Sequence, residues 1–241
     1  MKHNQNYLSI LIWVAVYAIA MGFLESAVVV YLRQIYYPEG FGFPLKMMDK
    51  TIALTEFFRE LATVIMLLSI GFIVSRKNIE RFAIFIFVFG IWDIFYYVFL
   101  ELLLGWPASF FTWDLLFLIP TLWIGPVLAP VINSFTMIAL GSMIFKFGAS
   151  GKDALLNRKE WILLIAGSLV VFVSYILDYC RFMLTEFSII DLFFKSNSGL
   201  ILQKASAYTP LFFNWWIFTV GEMILLSALF IYIFRMKKSE T

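Results

Sequence analysis

The chain has 241 residues, of which 62% are hydrophobic, 20% aromatic and only 14% charged. That balance excludes a soluble domain with a charged surface and points to a chain solvated by lipid. The formal net charge of +2 carries no nucleic-acid signal, because the lysines and arginines fall in clusters between apolar runs, where membrane topology accounts for them.

A helix needs about 20 mostly apolar residues to cross the hydrocarbon. The chain supplies six such runs and no alternating pattern long enough for a barrel. The expected fold is therefore all-α, a polytopic helical bundle of six spans forming one integral membrane domain over residues 1–241. The first span is predicted over Tyr7 to Leu32. Its apolar run continues well past the length of a signal-peptide core, so it reads as a retained helix. Residues 33–50 hold Pro38, Gly40, Gly42 and Pro44 and read as a loop. The second span is expected over Thr51 to Ser75 and the third over Phe82 to Leu104, separated by a short basic hairpin.

Gly105-Trp106-Pro107 marks a turn after the third span. Ser109 to Ile119 is too short to cross and is expected along the interface or as a partly re-entrant piece. The fourth span is predicted over Thr121 to Phe147, with Pro126 and Pro130 at its start or kinking its first turns. The fifth is expected over Trp161 to Leu184 and the sixth over Leu211 to Phe234. Between them, Phe187 to Lys195 has the pattern of an amphipathic interfacial helix. With both termini cytoplasmic, eleven basic residues fall on the inner side and six on the outer, so charge bias favours that orientation.

Several chemistries cannot be assembled from this composition. A single cysteine, Cys180, allows neither an intrachain disulfide nor a thiolate-rich metal site. The one histidine, His3, stands at a terminus, which removes histidine-ligated haem, di-iron boxes and Ser-His-Asp catalysis. Buried chemistry must then run on carboxylates, arginines, hydroxyls and indoles.

Ionised groups inside lipid cost several kcal/mol on insertion scales, so each needs a partner or a wet cavity. The spans carry Glu25, Glu56, Arg59, Glu60, Asp93, Glu101, Asp178, Arg181 and Glu222. Asp93 and Glu222 are expected near the midplane and the others between it and the outer face, which predicts one polar pocket opening outward or sealed just below the outer surface. Glu56 and Glu60 are i,i+4 with Arg59 beside them, Asp93 and Tyr97 are i,i+4, and Asp178 and Arg181 are i,i+3 with Tyr175 on the same side. Arg59 with Glu56 or Glu60, and Arg181 with Asp178, read equally well as structural ion pairs. Asp93 and Glu222 lack a basic residue nearby in sequence and are the leading functional candidates. Trp215 lies seven residues before Glu222, and Gly221 permits a close helix approach. Asp114, Glu101 and Glu25 are expected near the interface, where solvation is cheap.

The strings Trp92-Asp93-Ile94-Phe95-Tyr96-Tyr97, Leu104-Gly105-Trp106-Pro107, Trp113 to Pro120 and Trp123 to Pro130 resemble a group of uncharacterised bacterial polytopic membrane proteins. The resemblance implies a shared helical fold in the bacterial plasma membrane and brings no activity with it. Three readings of the polar residues stay open. They are a permease for a small solute or cation, a membrane enzyme acting on a lipid or isoprenoid through paired carboxylates or a carboxylate-held Mg²⁺, and a non-catalytic assembly component. The irregular approach to the fourth span and the spread of acids over several helices lean toward the permease.

Overall fold

The structure, a computed structural model, describes residues 2–188, 190–191 and 199–238. It contains the six expected long helices: α1 (Lys2–Tyr36), α2 (Lys50–Val74), α3 (Asn78–Leu104), α4 (Leu128–Ala149), α5 (Arg158–Met183) and, after the short α6 (Gly199–Ser206), α7 (Trp215–Lys238). Each of the six is long and apolar enough to cross a membrane. Large apolar side chains such as Trp13, Ile73, Leu169 and Trp216 stand on the outer surface, as expected where lipid rather than water is the solvent. The expected amphipathic helix over Phe187 to Lys195 falls largely outside the described residues.

Helix ends follow the capping chemistry written in the sequence. Asp49 accepts the Thr51 N–H at 2.8 Å and starts α2, while Asn157 and Glu160 form a reciprocal capping box that starts α5. Gly105 ends α3 in the left-handed conformation at φ 61°, its N–H returning to the Glu101 carbonyl at 2.9 Å. The turn expected at Gly105-Trp106-Pro107 is therefore a glycine-capped helix end.

One region departs from the all-helical expectation. Trp113–Phe117 (β1) and Trp123–Pro126 (β2) pair antiparallel, Asp114 opposite Gly125, with an irregularity between Leu115 and Phe117. The fourth helix begins at Leu128, not at Thr121. The physical reason is the backbone bonding available to a proline-rich lead-in. Val127 N–H reaches the Thr112 carbonyl (3.1 Å) and Leu128 N–H the Phe110 carbonyl (2.8 Å), so the hairpin absorbs donors that a helix start leaves unpaired. Pro130 then occupies the first turn of α4, where no intrahelical N–H is required, and needs no kink.

The order of packing positions the site. α3 packs against α1, α2 and α4; α7 packs against α4 and, most extensively, α5; β2 lies on α5. Close crossings carry the two main seams. A Cβ on Gly90 of α3 would meet the Ser134 carbonyl oxygen of α4 at 2.6 Å, and one on Gly221 of α7 would meet Val171 Cγ2 at 2.7 Å and the Gly167 carbonyl oxygen at 3.1 Å. The expected close approach at Gly221 is thus the α5–α7 seam.

The bundle has two unlike ends. Where α1 begins and α7 ends, the core is apolar, built on Leu11, Ile79, Ile84, Ile144, Ala228 and Tyr232. That end is clamped by Arg235, which donates from Nε and Nη2 to the fully buried Glu160 at 2.8 Å each and to the Leu155 carbonyl at 2.7 Å. At the hairpin end the core turns aromatic, with Tyr175, Tyr179, Tyr208, Phe213 and Phe218 packed under β2.

Candidate functional site

Glu25, Arg59, Glu60 and Asp93 lie nine to eleven residues from the hairpin end of their helices, about 14–17 Å of helical rise, and so share one depth. Three polar groupings stand at or above this layer. In the first, between α1 and α2, Arg59 pairs with Glu25 and with Glu56 (2.8 Å to Glu56 Oε2), and the Thr63 hydroxyl donates to the other Glu25 oxygen at 3.1 Å. The sequence anticipated Arg59 with a glutamate of its own helix. The cross-helix bond to Glu25 was visible only in the structure. Glu60 is turned away and accepts the Leu118 N–H at 2.9 Å, fastening the hairpin's connecting segment to α2.

The second grouping surrounds Arg33. Because α1 continues to Tyr36, Arg33 sits in the last helical turn and not in a loop, 7% exposed. Its guanidinium lies 3.6 Å from the Trp106 ring centroid and 4.4 Å from that of Phe41, and Nη2 donates to Asp114 Oδ1 at 3.3 Å. The Tyr97 hydroxyl donates to the other Asp114 oxygen at 3.2 Å. Tyr97 therefore serves Asp114 and not Asp93, although the i,i+4 spacing had joined it to the latter. Asp114, expected at a wet interface, is almost fully buried. Burial lifts its carboxyl to about 6 against the opposing pull of Arg33 and the Tyr97 hydroxyl.

The third grouping is built on α4, whose stretch Asn133-Ser134-Phe135-Thr136 places three polar side chains in an apolar span. The Ser134 hydroxyl donates to Asp93 Oδ2 of α3 at 2.7 Å, and the Thr136 hydroxyl donates to Glu222 Oε2 of α7 at 3.0 Å. At 100° per residue, Ser134 and Thr136 point to opposite flanks of α4, with Asn133 between them. Asn133 Nδ2 donates to the Tyr175 hydroxyl of α5 at 2.7 Å. Tyr175 lies within electrostatic reach of both Asp93 and Glu222 and stacks on Trp123 of β2, centroids 5.9 Å apart. Asp93 and Glu222 are thus held on two flanks of one helix, by Ser134 and Thr136 respectively, with the Asn133–Tyr175 pair between them.

The expectation of one shared polar pocket is corrected by this geometry. The acids divide into separate groupings because each has at least one oxygen held by an arginine, a hydroxyl or a backbone N–H of its own surroundings. Asp178 accepts from the Tyr208 hydroxyl (2.6 Å) and the Leu211 N–H (3.2 Å), anchoring the segment before α7. Arg181 is exposed and makes no pair with Asp178, and Glu101 is exposed as well. Neither belongs to the buried groupings.

Two features are left uncompensated. Among the described residues, Glu25, Glu56, Glu60, Asp114 and Glu222 are buried in this half of the bundle and Asp93 and Asp178 within its spans are partly so, against one buried cation, Arg33, and two part-buried ones, Arg59 and Lys204. Acid exceeds base by four. Five buried side-chain atoms among the described residues also lack a hydrogen-bond partner: Arg33 Nη1, Trp92 Nε1, Trp123 Nε1, Asn133 Oδ1 and Glu222 Oε1. Three of the five belong to the residues grouped about Tyr175. Sequence reasoning missed Arg33, Asn133, Ser134 and Thr136. The polar run within an otherwise apolar fourth span was the available signal.

Among the described residues, no group of three or more His, Cys, Asp or Glu side chains converges as a metal centre. Compared with protein-family models, curated proteins and solved structures, the chain has no significant match.

Proposed function

We propose that this chain is a permease of the bacterial plasma membrane for a small cation or cationic solute, with both termini cytoplasmic. The observation that carries the reading is the excess of buried carboxylate. Buried ions without counter-charge are costly enough that each must hold a proton or attract a cation. Asp93 and Glu222, on the two flanks of α4, are the pair without an arginine of their own. Irregular backbone at the hairpin supports the reading too, since non-helical segments at membrane depth are tolerated where they are buried in protein or line a path.

The test is flux into liposomes holding the purified full chain, following trapped pyranine for protons and sodium-22 for a metal cation under an imposed potential. Saturable flux is expected for the wild type and its loss in Asp93→Asn and in Glu222→Gln, with both variants monodisperse. Flux unchanged in both variants overturns the proposal.

A second reading, an enzyme acting on a lipid, has one observation in its favour. A groove of about 510 Å³ on α2, lined by Thr51, Leu54, Thr55, Phe58 and Arg59, opens on the apolar outer surface beside the Glu25–Arg59–Glu56 cluster. Turnover of a lipid in the absence of any gradient, lost in Arg59→Lys, would favour it. If neutralising Asp93 and Glu222 together changed neither flux nor turnover, the assembly role would remain.

A further inference from the structure

We infer that the residues around Tyr175 form a binding site for the ammonium group of a small organic amine, held by Glu222 and Asn133. The inference names a substrate class for the site proposed above and rests on that reading.

Glu222 is 5% exposed, and only one of its oxygens is bonded, to Thr136. Its Oε1 is buried and unpartnered. Asn133 stands one helical turn before Thr136 on the same face of α4 and presents a second buried, unpartnered acceptor, Oδ1, while its amide nitrogen is tied to Tyr175. Leaving such groups unmet is costly, more so where the group is charged, and a donor from outside the chain would meet both. The partner must donate hydrogen bonds and carry positive charge. An ammonium group does both.

The surroundings argue against a bare metal ion. Hard cations take six or more oxygen ligands, whereas Glu222 and Asp93 lie on opposite flanks of α4 and no third acid joins either. The remaining unpartnered atom, Trp123 Nε1, is a donor, which a metal ion repels. It fits a ligand with an acceptor near its amine, as in an amino alcohol. The walls are aromatic: Trp123 stacks on Tyr175, and Phe213 and Phe218 pack against Tyr175 at 5.9 and 6.1 Å between centroids. Such rings present faces of negative potential to a weakly hydrated organic cation.

The experiment is equilibrium binding of radiolabelled ethanolamine to the detergent-purified full chain, with competition by ethylamine, tetramethylammonium and sodium chloride at matched ionic strength. Saturable binding is expected, with ethylamine competing more weakly than ethanolamine, tetramethylammonium weaker again because it has no N–H, and sodium chloride ineffective. Glu222→Gln should weaken binding at least tenfold and Trp123→Phe several-fold. Glu222→Asp should retain part of it, and the surface change Glu186→Gln all of it. Absence of saturable binding, equal binding by Glu222→Gln in a monodisperse sample, or competition by sodium as strong as by ethylamine overturns the inference. Proton or sodium flux without ethanolamine binding would discard the amine and keep the permease. Binding without flux of any cation would do the reverse.

Discussion

Arg33 shows how a single side chain can organise one end of a membrane bundle. Its guanidinium is removed from solvent, set in the corner between the perpendicular rings of Trp106 and Phe41, and matched by one buried acid, Asp114. Breaking such a pair from one side leaves an uncompensated buried charge, at a cost on the order of 3–5 kcal/mol. Arg33→Met should therefore lower the thermal midpoint in detergent sharply, whereas Arg33→Met with Asp114→Leu should recover most of the loss. A double variant as unstable as the single one would show that the aromatic contacts, not the charge pair, hold this corner. The sequence did not point to Arg33, because proline and glycine downstream made residues 33–50 look like a loop. Only the helix's continuation to Tyr36 turns the side chain inward.

At the scale of elements, the seams and the hairpin carry separate expectations. Gly90 touches the backbone of α4 at Ser134, the residue that bonds Asp93, and a methyl group there has no room. Gly90→Ala is expected to cost about 1–3 kcal/mol through overpacking and to shift the melting transition down. Gly42→Ala, in open space, should leave the transition in place. The β1–β2 hairpin is joined to α2 through the Leu118 N–H and Glu60. Glu60→Ala should raise deuterium uptake over residues 113–126, and Glu60→Gln, which keeps an acceptor, should raise it much less. Equal uptake in both variants and in wild type would mean that strand pairing alone holds the hairpin. Helical runs were legible because a lipid-exposed helix must be apolar along its whole length. The hairpin was not legible, since nine strand residues within an apolar stretch carry no period that separates them from helix.

For the whole molecule, the two ends differ in what they bury, and topology decides which faces the cytoplasm. The basic clusters around Arg76, Arg158 and Arg235 gather at the end holding both termini, where Arg235 and Glu160 lock α7 to the start of α5. A fluorescent protein fused after Thr241 should fluoresce, and alkaline phosphatase at the same point should be inactive. The opposite result would invert the orientation and place the aromatic, acid-rich half at the cytoplasmic face. Glu160→Gln should loosen the clamp and lower thermal stability without altering cation flux, because it lies in the half remote from Asp93 and Glu222.

Composition and run length by themselves determined the class of this protein, six apolar helices around a small set of intramembrane charges, because lipid permits few alternatives to a fully hydrogen-bonded helix. Which charges meet was decided by tertiary structure alone. Helical spacing relates residues on one helix, and it brought Glu56 to Arg59. It carries no information on which face meets which neighbour, so Arg59 with Glu25, Ser134 with Asp93, Thr136 with Glu222 and Arg33 with Asp114 emerge only once the seams at Gly90 and Gly221 set the helices in place.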